Sequence, residues 1–114
     1  MPFIIDDHSF GSIVINGNEY TSDVIITQNK IISDWWRKDS HKLTPEDLAL
    51  LNLEEVKSIF IGTGWSGKMQ VSKETKNLFE SLNIPYIAIR TPVAIKEYNR
   101  FSHINKIGIF HLTC

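Results

Sequence analysis

The sequence predicts an α/β domain in which a short antiparallel β meander leads into a β-α-β-α-β run. Three observations predict it. β-branched stretches broken by Asn16-Gly17 crowd the first third of the chain, and Asn-Gly supplies the positive-φ pair of a two-residue hairpin turn. Ser58-Ile59-Phe60-Ile61 and Tyr86–Ile89 are short unbroken apolar runs, the pattern of strands covered on both faces. Between and after these runs, apolar residues recur at helical spacing.

In chain order, Ser12 to Ile15 is a strand, and Glu19 to Thr21 returns from the Asn16-Gly17 turn. Val24 to Thr27 is the next β-branched run. Asn29-Lys30 turns it into Ile31-Ile32, so residues 10–36 read as one meander. Thr44-Pro45-Glu46-Asp47 starts a helix: a capping hydroxyl, a proline in the first turn and two acids at the positive end of the dipole. Leu48, Leu50 and Leu51 form its stripe, and it ends near Leu53. Ser58 to Ile61 is a buried strand followed by a glycine-rich loop. Ser72 caps a helix over 73–82 with Leu78, Phe79 and Leu82 inward. Tyr86 to Ile89 is a second buried strand. Thr91-Pro92 opens a third helix carrying Ala94, Ile95, Tyr98 and Phe101, and Ile107 to Leu112 is the last strand. The first two strands of this half are expected to be parallel, joined by a right-handed crossover.

At 114 residues the chain is expected to form a single domain over 1–114, with room for one core. Twelve Lys plus Arg against 13 Asp plus Glu leave a net charge of −1, so the basic excess of a nucleic-acid binder is missing. The halves differ: residues 1–56 hold 4 bases and 10 acids (net −6), and residues 57–114 hold 8 bases and 3 acids (net +5). The plainer reading is that the halves face each other in one body and the asymmetry cancels; the sharper one is a positive crevice in the second half that suits an anionic ligand. The sole cysteine, Cys114, cannot form an internal disulfide, so nothing calls for an oxidising compartment. The first residues lack a basic region ahead of their apolar ones, and no apolar run reaches membrane-spanning length. A cytoplasmic protein with no membrane association is expected.

The loop Gly62-Thr63-Gly64-Trp65-Ser66-Gly67-Lys68-Met69 fits both G-x-G-x-x-G and G-x-x-x-x-G-K, motifs in which backbone N–H groups close on phosphate oxygens. Each fit is incomplete. Met69 stands where a P-loop needs Ser or Thr for Mg²⁺, the next apolar strand ends in Arg90 rather than an acid, and the helix opens only at Ser72. A structural turn is the plainer reading. Ligands of parallel sheets nevertheless gather beyond the carboxyl ends of the strands, which defines a candidate crevice of Thr63, Gly64, Lys68, Arg90 and Thr91.

Trp35-Trp36-Arg37 is a second candidate, since aromatic residues with arginine anchor protein interfaces. Neighbours on an extended chain point oppositely, so Trp35 and Trp36 do not share one core. The plainer reading packs both tryptophans on the domain's own flank; the sharper one makes Trp36 and Arg37 a partner surface. His8, His41 and His103 show no metal-ligand spacing, and His111-x-x-Cys114 alone does not complete a zinc site. No orienting acid or oxyanion hole marks a Cys–His nucleophile. Neither a metal nor a cofactor is expected.

Ile61-Gly62-Thr63-Gly64, Ile95-Lys96-Glu97-Tyr98-Asn99, the terminal Phe110-His111-Leu112-Thr113-Cys114 and Asp34-Trp35-Trp36-Arg37 resemble the adipogenesis-associated "Mth" domain family. That family of unknown function includes a mitochondrial respiratory complex I assembly factor. The resemblance spans nearly the whole chain, and the Lys-Glu-Tyr-Asn piece is its most specific part. It implies a three-layer α/β fold with a mixed central sheet and an added β layer, and it brings no established enzymatic activity with it. The leading expectation is a non-enzymatic binding or assembly-factor-like domain with a protein partner. The alternative is a small-molecule or anion-binding module, including an enzyme, that uses the crevice. A third reading is a homo-oligomer whose second copy completes that crevice.

Overall fold

The computed structural model describes residues 3–114. Its elements, in order, are β1 (Ile5–Ser9), β2 (Ser12–Ile15), β3 (Asn18–Tyr20), β4 (Val24–Ile26), β5 (Ile31–Ile32), β6 (Lys42–Leu43) and a 3-10 turn (Pro45–Leu48). There follow β7 (Ser58–Gly62), β8 (Gln70–Val71), α1 (Lys73–Ser81), β9 (Tyr86–Ile89), α2 (Thr91–Arg100) and β10 (Lys106–Phe110).

The central sheet runs β5-β4-β10-β7-β9. β10 and β9 flank β7 in parallel, β4 pairs antiparallel with β10, and β5 pairs antiparallel with β4, so that β4 alone is reversed among the five. The sheet is therefore mixed, and the second half is the expected β-α-β-α-β. Side chains alternate across it. One face carries Ile25, Ile59, Ile61, Ile107 and Ile109 against Phe79 of α1, with Leu43, Leu48 and Met69. The other carries Phe60, Val24, Ile26 and Phe110 against Ala94, Ile95 and Tyr98 of α2, with Ile5, Ile13 and Ile15 of a three-stranded sheet β1-β2-β3. The three layers and the added β layer are thus present.

Local chemistry explains several element ends. Asn16 and Gly17 have φ of 48° and 83°, the left-handed pair that the β2–β3 turn requires. The Ser72 hydroxyl accepts the Thr75 N–H at 3.1 Å and caps α1. At the far end of α2, Lys106 is buried and donates its Nζ to the carbonyls of Tyr98 and Phe101, closing orphan groups of the last turn.

Five expectations are corrected. The meander is interrupted after Tyr20: β3 belongs to the small sheet and β4 to the central one. The Thr44 helix shrinks to a 3-10 turn, since Asp47 accepts the Thr44 N–H and hydroxyl at 2.8 and 2.9 Å and closes it locally; Leu50 stays exposed. Leu82 lies beyond α1 and is exposed. β9 is an edge strand and mostly exposed, because the antiparallel β4 takes the place beside β10 and leaves β9 with one neighbour among the described strands. The last strand stops at Phe110.

Candidate functional site

Trp35, Trp36 and Arg37 follow β5 in an irregular segment pinned at both sides. Trp35 is buried. Its N–H donates to the Asp23 carbonyl at 3.1 Å, and its indole Nε1 donates to the Asp47 carbonyl at 3.1 Å. Arg37 is only 8% exposed, and its guanidinium lies over the Trp35 ring, 4.8 Å from the centroid. Trp36, between them, is 86% exposed. The structure therefore separates the two residues of the expected partner surface: Trp36 faces outward, and Arg37 is an internal anchor.

Arg37 belongs to a buried polar cluster that draws on three distant parts of the chain. Its Nη1 donates to Asp23 Oδ2 at 2.8 Å, and its Nε and Nη2 reach the Ser40 carbonyl at 3.2 and 2.6 Å. His111 Nδ1 lies 2.7 Å from the same Asp23 oxygen, and the Leu112 N–H donates to Asp23 Oδ1 at 2.8 Å. Burial pushes the Asp23 carboxyl up, but the donors from His111, Leu112 and Arg37 outweigh it and hold the group below its ordinary value. His111 Nε2 is buried with no hydrogen-bond partner among the described residues, as are His8 Nδ1 and Trp65 Nε1. Sequence reasoning missed Asp23 and gave His111 no role here. Positions 23, 37 and 111 carry no common spacing, and only the β4–β10 pairing brings the start of one strand beside the end of the other.

The crevice residues lie together at the carboxyl ends of β7 and β9. Thr63, Gly64 and Thr91 are buried, while Lys68 and Arg90 are exposed. The loop's backbone donors, however, are committed. Thr63 donates to Ile89, Gly64 to the Thr91 hydroxyl, Trp65 to Thr113, Ser66 and Lys68 to Cys114, Gly67 to Gly64 and Met69 to Thr63. The carbonyls of 113 and 114 thus sit where a phosphate motif would hold its anion. Gly64 has φ of 106°, and a Cβ there would fall 2.2 Å from the Cys114 carbonyl carbon, so no side chain fits while the tail is seated. Gln70-Val71 then pairs with Lys42-Leu43 instead of opening a helix inside the motif.

A polar cavity of about 410 Å³ lies elsewhere, between the β4–β5 turn (Thr27, Asn29, Lys30) and Asn52, Glu54 and Asn105. Asn105 precedes β10, which puts this cavity at the opposite end of the sheet from the glycine loop. Among the described residues, no three His, Cys, Asp or Glu side chains are grouped to hold a metal ion. No helix among them is long and apolar enough to cross a membrane.

Fold and site together define a small mixed α/β domain with an outward tryptophan and a self-filled glycine loop. The chain belongs to the family described as protein of unknown function (DUF498/DUF598), whose model matches residues 5–106. It is similar to the conserved hypothetical protein PH1505 from Pyrococcus horikoshii OT3, with 28% identity, 96% of this chain and 98% of that chain covered, and a TM-score of 0.84. It is also similar to the structure titled MT938, with 27% identity, coverage of 98% and 99%, and a TM-score of 0.75. A Bordetella pertussis protein described as a Mth938-like domain shares the fold at 14% identity, coverage of 96% and 85%, and a TM-score of 0.72. No functionally curated protein matches the chain.

Proposed function

We propose that this domain is a non-enzymatic binding module that docks a protein partner through Trp36. One observation carries the reading: an indole 86% exposed, on a segment fixed by the buried Trp35 and Arg37 on either side. An exposed indole leaves a large apolar area in water, and rigid aromatic anchors recur as interface hot spots. The buried cluster keeps the segment in one conformation, so little ordering entropy is lost on docking. Assembly factors act by holding another chain, and the resemblance through the Trp–Arg segment points the same way.

The anion-binding alternative is the weaker reading. It retains only the exposed Lys68 and Arg90, since the loop amides already serve the Thr113 and Cys114 carbonyls. Inorganic phosphate, nucleotides and phosphosugars are therefore expected to leave Tm unchanged. A shift abolished by Lys68→Ala or Arg90→Ala would favour the alternative.

A photoreactive crosslinker at position 36 is expected to capture a defined protein in cells, and one at exposed Ser102 is not. Trp36→Ala should change stability by no more than about 0.5 kcal/mol and weaken binding of the captured protein by about 30-fold or more. Equal capture from both positions, or unchanged affinity of Trp36→Ala, would defeat the reading.

A further inference from the structure

β9 closes one edge of the central sheet, and no described residue pairs with its outer side. The Ile59 N–H donates to the Pro85 carbonyl and the Thr63 N–H to the Ile89 carbonyl. Backbone groups alternate along a strand, so Pro85, Ile87 and Ile89 turn theirs toward β7, and Tyr86 and Ala88 present theirs outward. Ile87 is 37% exposed and Ile89 41%, with exposed Leu82 at the end of α1 close by in sequence. Free edges are ordinarily blunted by a charge, a proline or a bulge. Tyr-Ile-Ala-Ile contains none of these, and Pro85 lies on the paired side.

We propose that β9 pairs antiparallel with β9 of a second copy, about a two-fold axis perpendicular to the sheet, so that the two five-stranded sheets become one. A single register uses both outward residues of each strand. Tyr86 stands opposite Ala88 of the second copy, and Ala88 opposite its Tyr86, each pair exchanging both N–H···O bonds. Ile87 then meets Ile87 in the close, non-hydrogen-bonded position, where side chains touch.

The charges fit the same arrangement. The Tyr86 ring packs on Phe79 of α1, 5.2 Å between centroids, so Tyr86, Ala88 and Arg90 share the α1 face of the sheet. The proposed axis keeps both α1 helices on that face. Arg90, exposed and without an ion pair among the described residues, then approaches the amino end of the second β9. Glu80 sits at that end, its carbonyl accepting the Asn83 N–H. The contact occurs twice by symmetry, as an isologous interface requires. That self-match favours a second copy over an unrelated strand as the occupant. One short strand with Ile87 and Ile89 is smaller than a permanent interface of roughly 1,000 Å² or more, so the pair forms reversibly and depends on concentration.

Sedimentation velocity from low micromolar to millimolar protein is expected to show the mass rising from 13.1 kDa toward twice that value. Ile87→Lys sets two ammonium groups against each other and should remain monomeric with its fold intact. Arg90→Glu should weaken the dimer roughly two- to tenfold, and adding Glu80→Arg should restore it. Amide exchange at Tyr86 and Ala88 should slow as concentration rises, while Ile87 and Ile89, bonded to β7, should not respond. If Ile87→Lys fails to fold, the charge pair and the two amides carry the test. A monomer at every concentration would overturn the proposal, and so would a dimer whose Tyr86 and Ala88 amides ignore concentration.

Discussion

Asp23 gathers Arg37, His111 and the Leu112 N–H on its two oxygens, so the residue ahead of β4 ties the Trp–Arg segment to the end of β10. Removing the carboxylate leaves a buried guanidinium with its charge uncompensated. Asp23→Ala should therefore destabilise by about 3–5 kcal/mol, read from urea midpoints at neutral pH. The sign of the pH dependence follows from the lowered folded value. A carboxyl that protonates less readily folded than unfolded contributes fully above the unfolded pKa of about 4, and loses that contribution as pH falls through the folded value. The midpoint of the wild-type protein should consequently fall more steeply than that of Asp23→Asn once pH drops below about 4; equal slopes would remove Asp23 from the acid response. Trp36 and Arg37 were legible as a pair of notable residues but not as an outward anchor and an inward one. The carboxylate that draws Arg37 inward is 14 positions away, and nothing in the local pattern points to it.

Elements were legible where local chemistry decides them. Asn16-Gly17 fixes its hairpin by φ alone, Ser72 caps α1, and Thr91-Pro92 opens α2. They were illegible where neighbours decide. Tyr86–Ile89 has the composition of a covered strand yet lies at an edge, because the sheet order and not the strand's own residues settles what covers it. β1 alternates poorly, with Asp6 and Asp7 both exposed, and its irregular pairing with β2 absorbs the extra residue. The glycine loop resembled a phosphate cradle because glycine serves any close backbone approach, here that of the Cys114 carbonyl. Gly64→Ala would place its methyl group on that carbonyl and demand a left-handed φ. A loss of about 2 kcal/mol or more and a changed Trp65 emission are expected, because the Trp65 N–H bonds to Thr113. At the other end of α2, Lys106→Met keeps the apolar stem and removes the donors to Tyr98 and Phe101. About 1–3 kcal/mol should be lost, with faster amide exchange confined at first to the last turn of α2.

At the scale of the whole molecule, β10 decides how the layers depend on one another. It is the last strand in sequence and lies at the centre of the sheet, between β4 and β7, with all five residues buried. Ile107 and Ile109 point into the layer built on α1, and Phe110 into the layer built on α2 and the small sheet. Neither layer can lose β10 and keep its floor, so a defect on one face must be felt on the other. Phe110→Ala empties space beside Tyr98, whose ring meets it edge-on at 5.8 Å, and should cost about 3–5 kcal/mol. Trp35 belongs to the opposite layer. In thermal unfolding of Phe110→Ala, the Tyr98 resonances and the Trp35 fluorescence should nevertheless disappear in one coincident transition, shifted down from wild type. Tyr98 melting ahead of Trp35 would mean that the α2 layer unfolds by itself, and that β10 is held by its hydrogen bonds to β4 and β7 without support from both faces.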